Sequence, residues 1–89
     1  MTRLYRITGR VQGVGFRHFT HKLALGMGIT GYVKNMSDGS VEVMAQSKSE
    51  RTLEAFQKRL KEGPSFARVD DFERTDMDDN RKYNDFIIE

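Results

Sequence analysis

The chain contains no cysteine in 89 residues. Disulfides, thiolate nucleophiles and cysteine-ligated zinc are therefore excluded outright. A small secreted domain commonly relies on such staples, so their absence favours a reducing compartment. Long apolar runs are missing as well. No stretch reaches the length of a transmembrane helix, and the basic opening MTRLYRITGR leads into no apolar segment of the signal-peptide kind. A cytoplasmic location is the expectation. Charge of one sign is scarce. Fifteen Lys and Arg against thirteen Asp and Glu leave a formal +2, too little for a broad positive field that would draw in nucleic acid or a membrane. There are no internal repeats, low-complexity tracts or linkers.

What is present is a globular composition, 37% hydrophobic and 31% charged, with Phe, Leu, Ile, Val and Met spread along the chain. This length supports one domain, residues 1–89, around one modest core. Arg3 to Val11 alternates as a strand, with Tyr5 and Ile7 on one face. Apolar residues then recur at helical spacing, at Phe16, Phe19, Leu23 and Met27, until Gly26 and Gly28 end the run. Thr30 to Asn35 and Val41 to Ala45 flank the turn signal Ser37-Asp38-Gly39-Ser40 and read as a hairpin. Ser47 followed by Glu50 fits a capping box for a second helix built on Leu53, Phe56 and Leu60, which Gly63-Pro64 stops. Ala67 to Thr75 predicts a strand, Asp76 to Lys82 a loop, and Tyr83 to Ile88 a last short strand. The order is β-α-β-β-α-β plus a short extra C-terminal strand. That is an α+β, ferredoxin-like sandwich, an antiparallel sheet with two helices on one face. Such a fold hosts many functions and selects none.

The stretch GRVQGVGFR, Gly9 to Arg17, carries the first chemical signal. It lies between a strand and a helix N-terminus, where backbone N–H groups lack internal partners and the helix dipole adds positive potential. Gly13 and Gly15 allow several N–H groups to converge on one concavity. Arg17 adds a planar guanidinium whose fork matches two oxygens of a phosphoryl group. The spacing is not that of the common nucleotide loops: three residues after Gly15 stands His18 rather than glycine, and no Gly-Lys-Ser/Thr occurs. On this stretch alone, a structural turn with an exposed Arg17 remains equally open.

Together with GYVKNMSDGSVEV, Gly31 to Val43, the stretch resembles the acylphosphatases. The family's first signature, Gly-x-Val-Gln-Gly-Val-x-Phe-Arg, is met by Gly9, Val11, Gln12, Gly13, Val14, Phe16 and Arg17. The second is met by Gly31, Asn35, Gly39 and Val41, and the likeness extends over essentially the whole chain. The resemblance implies hydrolysis of the mixed anhydride between a carboxylate and phosphate. It implies that Arg17 and the amides from Gln12, Gly13, Val14, Gly15 and Phe16 hold the phosphoryl oxygens, and that Asn35 orients the attacking water. It implies no metal and no cofactor, a small-molecule acyl phosphate as partner, inorganic phosphate as product and competitive inhibitor, and a monomer that binds neither nucleic acid nor membrane.

Other groups have plainer readings. His18 and His21 lie on the first helix away from its apolar side and read as exposed residues rather than metal ligands. Asp70, Asp71, Asp76, Asp78 and Asp79 match no calcium loop. Lys34 points opposite to Asn35 on a strand, and Tyr5, Tyr32 and Tyr83 are accounted for by sheet packing. The competing functional readings are a phosphate-binding module without turnover and a single-stranded RNA-binding module, whose aromatic ribonucleoprotein signature is missing. Similar domains also open larger carbamoyl-transfer maturation proteins, which carry cysteines in zinc-finger-like arrangements. The terminal carboxylate of Glu89 is expected to approach Arg17.

Overall fold

The computed structural model describes residues 1–78 and 81–89. The elements run β1 (Thr2–Arg10), α1 (Phe16–Met27), β2 (Thr30–Asn35), β3 (Val41–Gln46), α2 (Glu50–Glu62), β4 (Arg68–Met77) and β5 (Phe86–Ile88). The strands form one sheet in the order β4-β1-β3-β2-β5. Alternation decides which side of it is dry. Tyr5 and Ile7 of β1, Val33 of β2 and Val41, Val43 and Ala45 of β3 all face inward and are fully buried. They meet Phe16 and Ala24 of α1 and Leu53, Phe56 and Leu60 of α2 in a single cluster, so both helices cover the same face. Each large side chain in that cluster contributes about 1.5–3 kcal/mol by leaving water.

The sheet is mixed rather than wholly antiparallel. β5 runs parallel to β2, with Gly31 opposite Phe86 and Val33 opposite Ile88. A parallel partner cannot be reached by a tight turn, and the chain comes to this edge directly from β4 at the other. Gln46 guides the return: its side chain donates to the Arg81 main-chain oxygen at 2.7 Å and accepts from the Tyr83 N–H at 3.0 Å. That anchoring also explains why the ordered strand begins at Phe86 and not at Tyr83. β4 extends through Asp76 and Met77, where a loop is expected from the polar sequence, because β1 pairs with it down to Thr2. Asp79, from the acidic run, lies outside the described residues.

Two local expectations change. The N-cap of α2 is Ser49, whose hydroxyl accepts from the Thr52 N–H at 3.1 Å, while the Ser47 hydroxyl accepts from the Ser49 N–H. Both serines satisfy a capping pattern, and Glu50 is turned instead toward the buried Arg3, 3.9 Å away. The face of α1 that meets the sheet is centred on Phe16, Thr20 and Ala24, with Phe19, Leu23 and Met27 partly buried around it. Thr20 is hidden there at no polar cost because its hydroxyl donates to the Phe16 carbonyl at 2.9 Å.

Gly9 belongs to this framework rather than to the loop that follows. The β1–β4 register shifts between Thr8 and Gly9, and Gly9 has φ +129°. A Cβ at this point would run into the Arg68 carbonyl oxygen. Gly9→Ala is expected to destabilise the fold by about 3 kcal/mol or more, through both strain and the forced displacement of β4. Urea unfolding of the variant against the parent chain measures it.

Candidate functional site

Strand directions bring the chemical groups together. β1, β2 and β5 all end at the same edge of the sheet, since β1 and β2 are each antiparallel to β3 and β5 is parallel to β2. α1 begins there too. At this edge lies a cleft of about 200 Å³ bordered by Gly13, Gly15, Phe16 and Arg17 on one side and by Asn35 on the other. Val11, His18 and Ile88 complete its lining.

The loop between β1 and α1 is shaped for backbone approach. Gly13 and Gly15 have φ of +74° and +80°, and no atom lies within 4 Å of where a Cβ on either would stand. Here glycine serves conformation and leaves the backbone open. Gly15 is the N-cap of α1, no side chain caps it, and the first turn carries no acidic residue. The contrast with α2 is informative, because that helix has both a serine cap and Glu50 in its first turn. At the start of α1, therefore, no side-chain cap and no acidic residue offsets the positive potential of the helix.

Arg17 follows in the first turn and is exposed. Its Nη1 donates to the main-chain oxygen of Glu89 at 3.1 Å, so the chain end does approach Arg17. Arg3, Arg6, Arg68 and Arg74 each lie against side-chain carboxylates, and the Glu89 contact holds the Arg17 guanidinium at the border of the cleft.

Asn35 ends β2 on the side to which Val33 points, whereas Tyr32 and Lys34 occupy the other face. Lys34 Nζ lies 3.7 Å from Glu42 and 5.3 Å from the Tyr32 ring centroid. The Tyr32 hydroxyl donates to Glu42 at 2.7 Å, and burial together with that carboxylate pushes the phenol pKa up. Neither residue serves the cleft. The turn that follows Asn35 is held by Asp38, whose Oδ1 accepts from the Ser40 N–H at 3.0 Å and from its hydroxyl at 2.6 Å. Arg6 completes the arrangement at Oδ2. Those Ser40 hydrogen bonds, and then Arg6, hold the Asp38 carboxyl well below the usual carboxylate range.

Gln12 joins the two halves. Its side-chain amide donates to the Met36 and Ser40 carbonyls at 2.8 and 2.9 Å, tying the glycine loop to the hairpin that carries Asn35. Gln12 and Val14 do not border the cleft, and Val14 packs partly buried against the core. His18 and Ile88 do border it, though periodicity placed His18 on an exposed face and Ile88 at a strand end. His21 is half-buried, its ring 6.2 Å from Phe86. Among the described residues, no three His, Asp or Glu side chains are grouped as a metal site would need. Asp70 and Asp76 are paired with Arg68 and Arg74, each at 2.8 Å.

The family model named Acylphosphatase matches residues 3–88. An acylphosphatase of Borrelia garinii subsp. bavariensis is 40% identical over 94% of this chain and 92% of its own. The crystal structure of the acylphosphatase from Bacillus subtilis superposes with a TM-score of 0.93 at 36% identity, covering 98% of this chain and 96% of that one. A full-length HypF in the phosphate- and nucleotide-bound form matches with a TM-score of 0.82 at 36% identity, over 98% of this chain but 11% of its own length.

Gln12→Ala is expected to lower kcat/KM by about tenfold and to reduce Tm, because the Met36 and Ser40 carbonyls each lose one of two donors and the loop is freed from the hairpin. Gln12→Glu is expected to be worse, since it sets a carboxylate against both carbonyls. Asp38 gives a pH signature. A depressed carboxyl stabilises the folded chain above the ordinary carboxylate pKa of about 4 and loses that contribution as pH falls through its lower folded value. The Tm advantage of the parent over Asp38→Asn is expected to be full above about pH 5 and to shrink steadily as pH falls below about 4. Thermal melts across that range test the sign.

Proposed function

The chain belongs to the acylphosphatase family and hydrolyses acyl phosphates; on that premise we propose that water attacks a phosphoryl group held at the uncapped start of α1. The observation that supports this reading is the common cleft bordered by Gly13, Gly15, Arg17 and Asn35. The loop amides, from Gln12 to Arg17, and the Arg17 guanidinium bind the phosphoryl oxygens and stabilise the charge that grows on them in the transition state. The Asn35 side-chain oxygen accepts one hydrogen bond from the water and turns its lone pair toward phosphorus. The water oxygen forms a bond to phosphorus as the bond from phosphorus to the acyl oxygen breaks. The carboxylate departs with the electron pair, and the water's proton passes to a phosphoryl oxygen. A carboxylic acid has a pKa of about 4, so its anion leaves without a general acid. Positive charge is supplied by Arg17 and the N–H groups, so this reading requires no metal.

The same reading makes inorganic phosphate, which fits the nest without an acyl group, a competitive inhibitor. It treats residues 1–89 as one domain acting as a cytoplasmic monomer on a small molecule, without nucleic acid or membrane.

Benzoyl phosphate tests the mechanism. Fast hydrolysis, unaffected by EDTA and competitively inhibited by phosphate, is expected; loss of turnover in EDTA would overturn it. Arg17→Ala is expected to raise KM and lower kcat, with kcat/KM falling about 100-fold or more. Asn35→Ala is expected to lower kcat by a comparable factor with little change in KM, because water orientation counts mainly in the transition state. Opposite patterns would mean that the two roles are exchanged.

A further inference from the structure

The proposed reaction uses the glycine loop and Arg17 around the phosphoryl group and Asn35 at the water. Val11 is only 1% exposed and offers little surface. Two lining side chains, His18 and Ile88, have no part in that chemistry. Ile88 is 43% exposed, an unusual setting for a large aliphatic side chain. It pairs with Val33 in the sheet, and the residue after it is held on two sides: the Glu89 N–H donates to the Val33 carbonyl at 2.8 Å, and the Glu89 main-chain oxygen accepts from Arg17 at 3.1 Å. Ile87, beside it on the same strand, is 48% exposed but registers with Tyr32 and so belongs to the opposite face. Alternation therefore delivers one isoleucine to the cleft and one away from it.

We propose that Ile88 and His18 form the seat for the acyl group, so that the protein selects acyl phosphates whose acyl part is apolar or aromatic over acetyl or carbamoyl phosphate. This rests on the reading of the phosphoryl site given above. A phosphoryl group bound at the start of α1 leaves its acyl substituent in the mouth of the cleft, where these two side chains stand. The exposed part of Ile88 gains by being covered with carbon rather than water. The flat imidazole of His18, next to Arg17 in the chain, suits the face of a planar acyl group. Neither side chain is asked to touch phosphorus, so the seat acts on selectivity and not on the bond that breaks.

The test compares benzoyl, acetyl and carbamoyl phosphate in steady-state kinetics with the parent chain and with Ile88→Ala, Ile88→Val, His18→Ala and Ile87→Ala, each checked by thermal melt. Ile88→Ala is expected to lower the benzoyl-to-acetyl ratio of kcat/KM about fivefold, through KM. Ile88→Val, which keeps most of the side chain, is expected to lower it less than about twofold, and His18→Ala to shift it in the same direction as Ile88→Ala. Ile87→Ala, equal in exposure but on the other face, is expected to leave the ratio unchanged. A fall of equal size for all three substrates in Ile88→Ala, or the same loss of ratio in Ile87→Ala, would overturn the seat. Failure of the underlying reading has a different mark: full activity in Arg17→Ala on every substrate.

Discussion

The two hydrogen bonds from the Gln12 amide to Met36 and Ser40 hold the site together. The glycine loop, proposed to hold the phosphoryl group, and Asn35, proposed to orient the water, lie on different elements, one after β1 and one at the end of β2, with β3 between them in the sheet. The sheet fixes both to within a strand spacing, but the loop and the hairpin project beyond its last hydrogen bonds. Without a tie, their separation would fluctuate by more than an in-line displacement tolerates. Asp38 reinforces the tie from below. By binding Ser40 and Arg6 at once, it fixes the turn whose carbonyl Gln12 needs.

The charge arrangement follows from the same economy. Arg17, which borders the cleft, bonds to the main-chain oxygen of Glu89, while side-chain carboxylates neutralise Arg3, Arg68 and Arg74 elsewhere. The helix that starts at the cleft is left without a side-chain cap, and the helix that starts at the far end is given one. Glycine in place of a side-chain cap costs a few tenths of a kcal/mol of helix stability, which the packing of Phe16, Thr20 and Ala24 offsets.

Much of this was legible in the residues. The alternation in TGYVKN defines β2 from Thr30 to Asn35, and Phe16 marks the first residue of α1. Arg17 and Asn35 both border one cleft. The cap of α2 lies two residues beyond Ser47 because Ser47 and Ser49 are chemically equal in sequence; the Ser49 hydroxyl takes the Thr52 N–H, while Glu50 turns to Arg3 instead of closing a box on Ser47. The role of the Gln12 side chain was not legible, since its partners are backbone carbonyls and any residue could have supplied those. Gly9 looked like part of the loop; only the β1–β4 register shows that it yields to another strand.

The last strand shows most clearly what local pattern cannot convey. FII is short and apolar, and nothing in it says which edge it joins or in which direction. Its placement depends on Gln46 grasping residues 81 and 83, far away in sequence. Yet parallel pairing with β2 is what sends the chain end to the same edge as α1; antiparallel pairing would send it to the other. From that one direction follow the Arg17 contact with Glu89 and the presence of Ile88 in the cleft. The signatures therefore account for the phosphoryl end of the site, where chemistry fixes the residue types. The acyl end is built by topology, through an edge strand whose side chains can vary without disturbing the nest, and that is where differences in substrate preference among such proteins have room to arise.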